Sequence, residues 1–431
     1  MKNSKPKIVI VGAGIAGLAA AHKLTEHGHF DVKILEARDR IGGRICTNYF
    51  FGFPVDVGAG WLHGIEGNPI AELAKQAHVQ FVNFKFTDIL FFNREGKKIP
   101  VKDIDYFRDE FADFLQKAEA LAQHASHDVS LEKMLLTVRP SDRTADWYFL
   151  WNWMMIYLGL YTGSNLSQLS AKYWDIEETL PGGNNLVMGG YANIIKGFAK
   201  NLDIQFNTIV TKINYQDKLI SVATNQGEMQ CDAVVVTLPL GVLQKDSVQF
   251  SPVLPNDKKA AINRLSMGLL NRVVLKFNRV FWPVEHSGFF VEPKNNPAIP
   301  YFINLHYYNQ QPVLVGTISG SHAQSLETLP DEEVIDIAMT ELRHCFGNQI
   351  PNPESHIITR WLNDPYSHGS YSYTPVHATP SDYDVLANPI NQQLFFAGEA
   401  TNKQYPATTH GAYLSGIREA QRIIDLFHIV P

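Results

Sequence analysis

The sequence predicts an α/β protein, and two stretches near its amino terminus carry that prediction. The first is "KIVIVGAGIAGLAAAHKL", in which a short β-branched run, Ile8 to Val11, meets Gly12, Gly14 and Gly17 and then an Ala-rich segment. Strand, tight turn and helix follow in that order. The second is "DVKILEA", another strand, ending in the carboxylate of Glu36. An acid about 20 residues beyond such a turn is where the ribose hydroxyls of an adenosine are bound. The two together predict a dinucleotide-binding βαβ unit.

Each element of that unit has a physical reason. Gly12 permits the turn, Gly14 lets backbone approach a pyrophosphate, and Gly17 allows the helix to pack closely. The helix start at Ile15 and Ala16, with Ala13 inside the turn, directs its free N–H groups at the phosphate charge. Glu36, followed by Ala37 and Arg38, disfavours a 2′-phosphate and hence NADP. An α/β unit without a nucleotide and with an ordinary exposed Glu would read alike. "EARDRIGGRICT" adds a second glycine turn, Gly42 and Gly43, and then Arg44, whose guanidinium would grip the same pyrophosphate. NAD-binding folds do not need this second grip.

The chain has 431 residues, enough for at least two domains. Its 45% hydrophobic and 11% aromatic content, with 30 Gly and 23 Pro, is that of a loop-rich globular enzyme. A net charge of −6 argues against general nucleic-acid binding and mildly favours cationic partners. The opening "MKNSKPK" leads into a strand, not into the apolar core of a signal peptide, so a cytoplasmic location is expected. Cys46, Cys231 and Cys345 are isolated, which suits a reducing compartment and offers no zinc cluster. "WYFLWNWMMIYLGLY" is shorter than the roughly 20 apolar residues of a membrane span and is interrupted by Asn152, so it reads as a buried helix lining a core or pocket. No metal site and no nucleophile elbow are visible.

Further blocks extend this reading. Glu36-x-Arg38-x(4)-Gly43-Arg44, then "PVDVGAGWLHG", "CDAVVVTLPLGVL", "RWLNDPYSHGSYSY" and "LFFAGEATNKQYPATTHGAYLSGIREAQ" follow one another in order. The whole chain thereby resembles the flavin-dependent amine oxidases. "FGFPVDVGAGWLHG", "YFINLH" and "NRVVLKFNRVFWP" make it most similar to the polyamine oxidases, and the last blocks are also similar to the histone-demethylase-type members.

The resemblance, with the placing of the glycine turns and Thr-x-Pro, implies a discontinuous Rossmann-like FAD-binding domain from residues 1–80, 200–260 and 385–431, and an α+β substrate-binding domain from 81–199 and 261–384. It implies FAD held non-covalently, no Cys lying in the final block. Beyond the glycine turns and the acid, it implies cofactor contacts from Gly58, Ala59, Gly60, Trp61, Val210, Thr237, Pro239, Trp361, Tyr366, Gly398 and Glu399. Thr408 and Thr409 would open a helix whose positive end faces the flavin and stabilises its reduced form. Gly411, Ala412 and Gly416 could equally serve close helix packing alone.

The implied chemistry is hydride removal from the carbon next to an amine nitrogen, with dioxygen as the final acceptor. The substrate must be a neutral amine although a free alkylamine has a pKa of about 10, so an aromatic, partly desolvated wall is wanted. Trp361, Tyr366, Tyr371 and Tyr373 meet that need, with Tyr371 and Tyr373 on one face of an alternating strand and Tyr373 flanking the amine by resemblance. Aromatics at this spacing also build plain cores. In place of an opposing aromatic the sequence has Thr408, as demethylase-type members do. His63 matches a histidine lining polyamine oxidase sites, although a lone His beside a Trp is often structural. Asp175, Glu177 and Glu178 would draw in a distal ammonium, or form a solvated turn; Glu178 is taken as the substrate acid.

Arg272 departs from the family, which has Lys there, holding a water against flavin N5. Arg and Lys are not interchangeable at such a site. Three readings stand: Arg272 holds the water, grips a substrate carboxylate, or slows reoxidation. The expected substrates are a polyamine-like amine or, alternatively, an amino acid, aromatic monoamine or methyl-lysine side chain; a flavin protein with little amine turnover is the third reading. The sequence leaves the oligomeric state open.

Overall fold

The computed structural model describes residues 5–84, 88–99 and 104–427, so Met1–Ser4 of the basic opening lie outside the described residues. Lys7–Val11 is the central strand of a five-stranded sheet ordered 204–205, 31–35, 7–11, 233–236, 394–396. All its pairings are parallel. Parallel strands buried on both faces need continuous apolar runs, which Ile8–Val11 and Ala233–Val236 supply. The first helix, Ile15–His27, and the C-terminal helix, Thr409–Leu426, share one core on this sheet.

Their packing is close because Gly416 meets the Ala16 carbonyl, where a Cβ would collide. The packing reading of that glycine therefore holds. Ala412, one turn earlier, lines the cavity described below.

The second large sheet has seven strands, ordered 355–358, 270–276, 313–319, 301–304, 288–291, 89–92, 98–99. It is antiparallel except where Gly288–Val291 runs parallel to Ile89–Phe92. The aromatic helix, Ala145–Thr162, packs in the core on this sheet with Phe91, Phe290 and Tyr301. No helix among the described residues is long and apolar enough to cross a membrane. A small sheet, ordered 61–63, 184–187, 81–83, draws one strand from the 1–80 segment and two from the 81–199 segment. Val187, Tyr191, Ile194 and Ile195 pack into the core of the first helix, so this part of the 81–199 segment joins the nucleotide-type unit.

Candidate active site

The first strand, the first glycine turn and the C-terminal block all open onto one cavity of about 590 Å³, which also reaches the seven-stranded sheet and the aromatic helix. Of the sequence-expected cofactor residues, Gly12, Gly14, Ile15, Ala16, Glu36, Ala37, Arg38, Gly43 and Arg44 line it. So do Gly58, Ala59, Gly60, Trp61, Val210, Thr237, Pro239, Trp361, Tyr366, Gly398, Glu399, Thr408 and Thr409. Residues from opposite ends of the chain thus meet on one surface.

Ala13 and Gly17 do not line it. Ala13 is fully buried, and its N–H donates to Glu36 Oε2 at 2.7 Å. Gly17 abuts the Gly12 carbonyl, where a side chain would collide. Both shape the turn from behind.

The turn fits a dinucleotide. Around Gly14 nothing lies within 4 Å of where a Cβ would be, so bare backbone faces open space. Gly14 caps the first helix without any side-chain hydrogen bond and no acid stands in its first turn, which leaves the positive helix end free for phosphate. Glu36 is buried, its Oε1 accepting from Arg38 N at 2.9 Å, which orients the carboxylate at the cavity edge. Arg38 is itself held by Asp364, at 2.6 Å, and lies over the Tyr366 ring.

At the other end, Arg44 Nη1 donates to Glu399 Oε1 at 2.8 Å and to the Ser370 carbonyl at 3.0 Å. Glu399 Oε2 accepts from Ser372 Oγ at 2.5 Å and from Ala407 N at 3.0 Å. Thr408 is the N-cap of the C-terminal helix, accepting from Gly411 N at 2.9 Å, so its hydroxyl serves the helix start. Thr409 Oγ1 meets Tyr191 Oη at 2.5 Å.

Arg272, His63, Tyr371, Tyr373 and Trp361 also line the cavity. Tyr371–Tyr373 is a strand, as alternation predicts, and Tyr371 Oη donates to the Leu160 carbonyl at 3.0 Å. Trp361 Nε1 donates to the Val57 carbonyl at 3.3 Å. His63 faces Asn184 across paired strands, with Nδ1 2.9 Å from Asn184 Oδ1. The amide oxygen can only accept, so Nδ1 carries the proton and Nε2 the lone pair. Burial holds the His63 pKa below its ordinary value, which keeps the ring neutral. Arg272 is buried, and Nη1 donates to the main-chain carbonyl of Asp56. Burial pushes the Asp56 carboxyl up to about 6, against hydrogen bonds from Thr47 and Tyr191 and the charge of Arg272.

Glu178 is a correction. It is exposed, does not line the cavity, and accepts from Gln404 Nε2 at 2.7 Å. Its neighbours Asp175 and Glu177 line the wall instead. Glu177 Oε2 accepts from Tyr161 Oη at 3.1 Å, and burial pushes the Glu177 carboxyl up to about 7, with Asp175 adding to the rise. Sequence reasoning also missed the individual wall residues Trp153, Tyr157 and Tyr161 of the aromatic helix, and Tyr301 and Thr317 of the sheet. Among the described residues no group of three or more His, Cys, Asp or Glu is placed to hold a metal ion.

A parallel nucleotide-type unit that opens onto an aromatic, acid-edged cavity suits a flavoenzyme acting on amines. The chain belongs to the family described as flavin containing amine oxidoreductase, whose profile matches residues 15–424. It is an FAD-dependent amine oxidase. It is 36% identical to "Probable polyamine oxidase 4" of Arabidopsis thaliana, over 97% of this chain and 87% of that one. It is 34% identical to "Lysine-specific histone demethylase 1 homolog 2" of the same plant, over 99% of this chain and 59% of that protein. A solved putrescine oxidase double mutant, redesigned in cofactor binding, superposes with a TM-score of 0.78 at 18% identity, covering 98% of this chain and 99% of its own. That likeness shows a common fold.

Proposed function

We propose that the enzyme oxidises a C–N bond of a polyamine-like substrate, giving an imine that water hydrolyses to aldehyde and amine while dioxygen is reduced to hydrogen peroxide. The observation that carries this reading is Glu177 and Asp175 on the wall of the same cavity as neutral His63 and the aromatic side chains. When bound, the flavin supplies the hydride acceptor; the glycine turn, Glu36, Arg44 and the start of the C-terminal helix would hold FAD non-covalently.

The chain's own residues prepare the amine. Glu177 and Asp175 draw a distal ammonium to the wall. Trp153, Tyr157, Tyr371 and Tyr373 replace water around the reacting nitrogen, and desolvation lowers its pKa toward the neutral form that can lose hydride. His63, its proton fixed on Nδ1 by Asn184, offers the Nε2 lone pair to the substrate N–H and holds the nitrogen in place. The three cysteines, free and far apart, suit a cytoplasmic setting.

Anaerobic mixing of the FAD-loaded protein with spermine, N-acetylspermine, tryptamine and L-amino acids tests the reading. Polyamines should bleach the flavin fastest, and air should then return one peroxide per flavin. Absence of bleaching with every amine would leave a flavin protein without this activity.

A further inference from the structure

We infer that Arg272 and Thr317 form a subsite on the cavity wall for a carboxylate-bearing ligand. The inference rests on the cavity being the substrate cavity, as proposed above. Arg272 and Thr317 stand directly opposite each other in the antiparallel pair Leu270–Lys276 and Val313–Ser319. Their side chains therefore leave the sheet on one face, with Cβ atoms about 5 Å apart. Both line the cavity, and each is only 7% exposed.

Their hydrogen-bonding capacity is largely unused. Among the described residues the Arg272 side chain makes one hydrogen bond, from Nη1 to the Asp56 carbonyl, out of five N–H groups. Thr317 Oγ1 is buried without a partner. The carboxylate that acts on the guanidinium charge is Asp56, whose oxygens already accept from Thr47 Oγ1 and the Tyr191 N–H and which does not line the cavity. The charge is thus countered from behind while the forked donors remain without acceptors. Burying such donors is costly, and a ligand that fills them recovers the cost. A carboxylate matches the planar fork with two oxygens, and the threonine hydroxyl adds a third donor. A neutral carbonyl fills one N–H and leaves the charge uncompensated. Glu177 and Asp175, elsewhere on the wall, repel an anion and attract a cation, so anionic and cationic ligands are drawn to different parts of the wall.

The test is equilibrium binding to the FAD-loaded protein at fixed ionic strength, read from the flavin absorption spectrum and from thermal midpoints. Benzoate should bind, and the uncharged isostere benzamide should bind at least about tenfold more weakly. In Arg272→Gln the benzoate Kd should rise about thirtyfold or more, and in Thr317→Val about threefold. Lack of benzoate binding, benzamide binding as tightly, or an unchanged Kd in Arg272→Gln overturns the inference. If Arg272→Gln fails to take up FAD, Thr317→Val decides, and an unchanged Kd there is fatal. Benzoate binding in a protein that no amine bleaches would keep the subsite and remove the proposed activity. Bleaching by amines without benzoate binding would do the reverse.

Discussion

Arg44 and Glu399, 355 residues apart in the chain, are joined by a 2.8 Å ion pair on the cavity wall. Each is expected from the sequence to serve the cofactor; the structure shows that each also orients the other. Glu399 is 5% exposed at its side chain and further held by Ser372 and the Ala407 N–H, so the pair ties the second glycine turn to the start of the C-terminal helix.

Removing one charge should therefore loosen both ends at once. Glu399→Gln keeps the shape but leaves the Arg44 guanidinium half-buried and unpaired, which costs about 3 kcal/mol. Thermal unfolding of the apoprotein should show this loss, and FAD affinity should fall roughly tenfold. The double variant Arg44→Met with Glu399→Leu should lose less than the sum of the single changes, because the stranded charge is gone. Strict additivity would mean that the pair does not couple the two segments.

The cavity acid predicts a pH dependence with opposite signs for binding and stability. Burial raises the Glu177 carboxyl from its ordinary 4.5 to about 7. Its negative charge is present above that value and disappears as pH falls through it, while an alkylamine of pKa about 10 stays cationic throughout. The KM for spermidine should therefore rise roughly tenfold between pH 8 and pH 5.5. The raised pKa means that the protonated form is favoured by folding, so the associated stability is complete below pH 4.5 and lost as pH rises through about 7. Glu177→Gln should flatten the KM profile at its high-KM end and raise the melting temperature at pH 8. A variant that keeps the wild-type profile would show that another group titrates.

These residues also mark what the sequence discloses. The nucleotide turn is legible because its chemistry is local: Gly12, Gly14 and Glu36 act through backbone conformation and short spacing. Which acid of Asp175, Glu177 and Glu178 faces the cavity is not legible, since that segment is irregular chain with no period to assign faces. The aromatic helix is apolar on every side, so nothing in its pattern singles out the stripe Trp153, Ile156, Tyr157, Leu160 and Tyr161 that lines the wall. The Arg38–Asp364 and Arg272–Asp56 contacts join residues 326 and 216 apart, and only the assembled fold brings them together.

The His63–Asn184 pair supports a last prediction, one that separates positioning from plain structure. Asn184 Oδ1 accepts the Nδ1 proton of His63 at 2.9 Å, and burial depresses the histidine pKa, so the ring is neutral with its lone pair on Nε2. Asn184→Asp puts a carboxylate where the amide oxygen was, and an adjacent negative charge favours imidazolium. The Nε2 lone pair is then protonated over a wider pH range, and the ring repels a cationic amine instead of accepting from it. The acid limb of the kcat/KM profile should move to higher pH, and kcat/KM at pH 7 should drop about tenfold or more. Asn184→Leu, which removes the acceptor without adding charge, should lower kcat/KM at all pH values without moving that limb. Identical profiles for the two variants would reduce Asn184 to a packing residue and take His63 out of substrate binding.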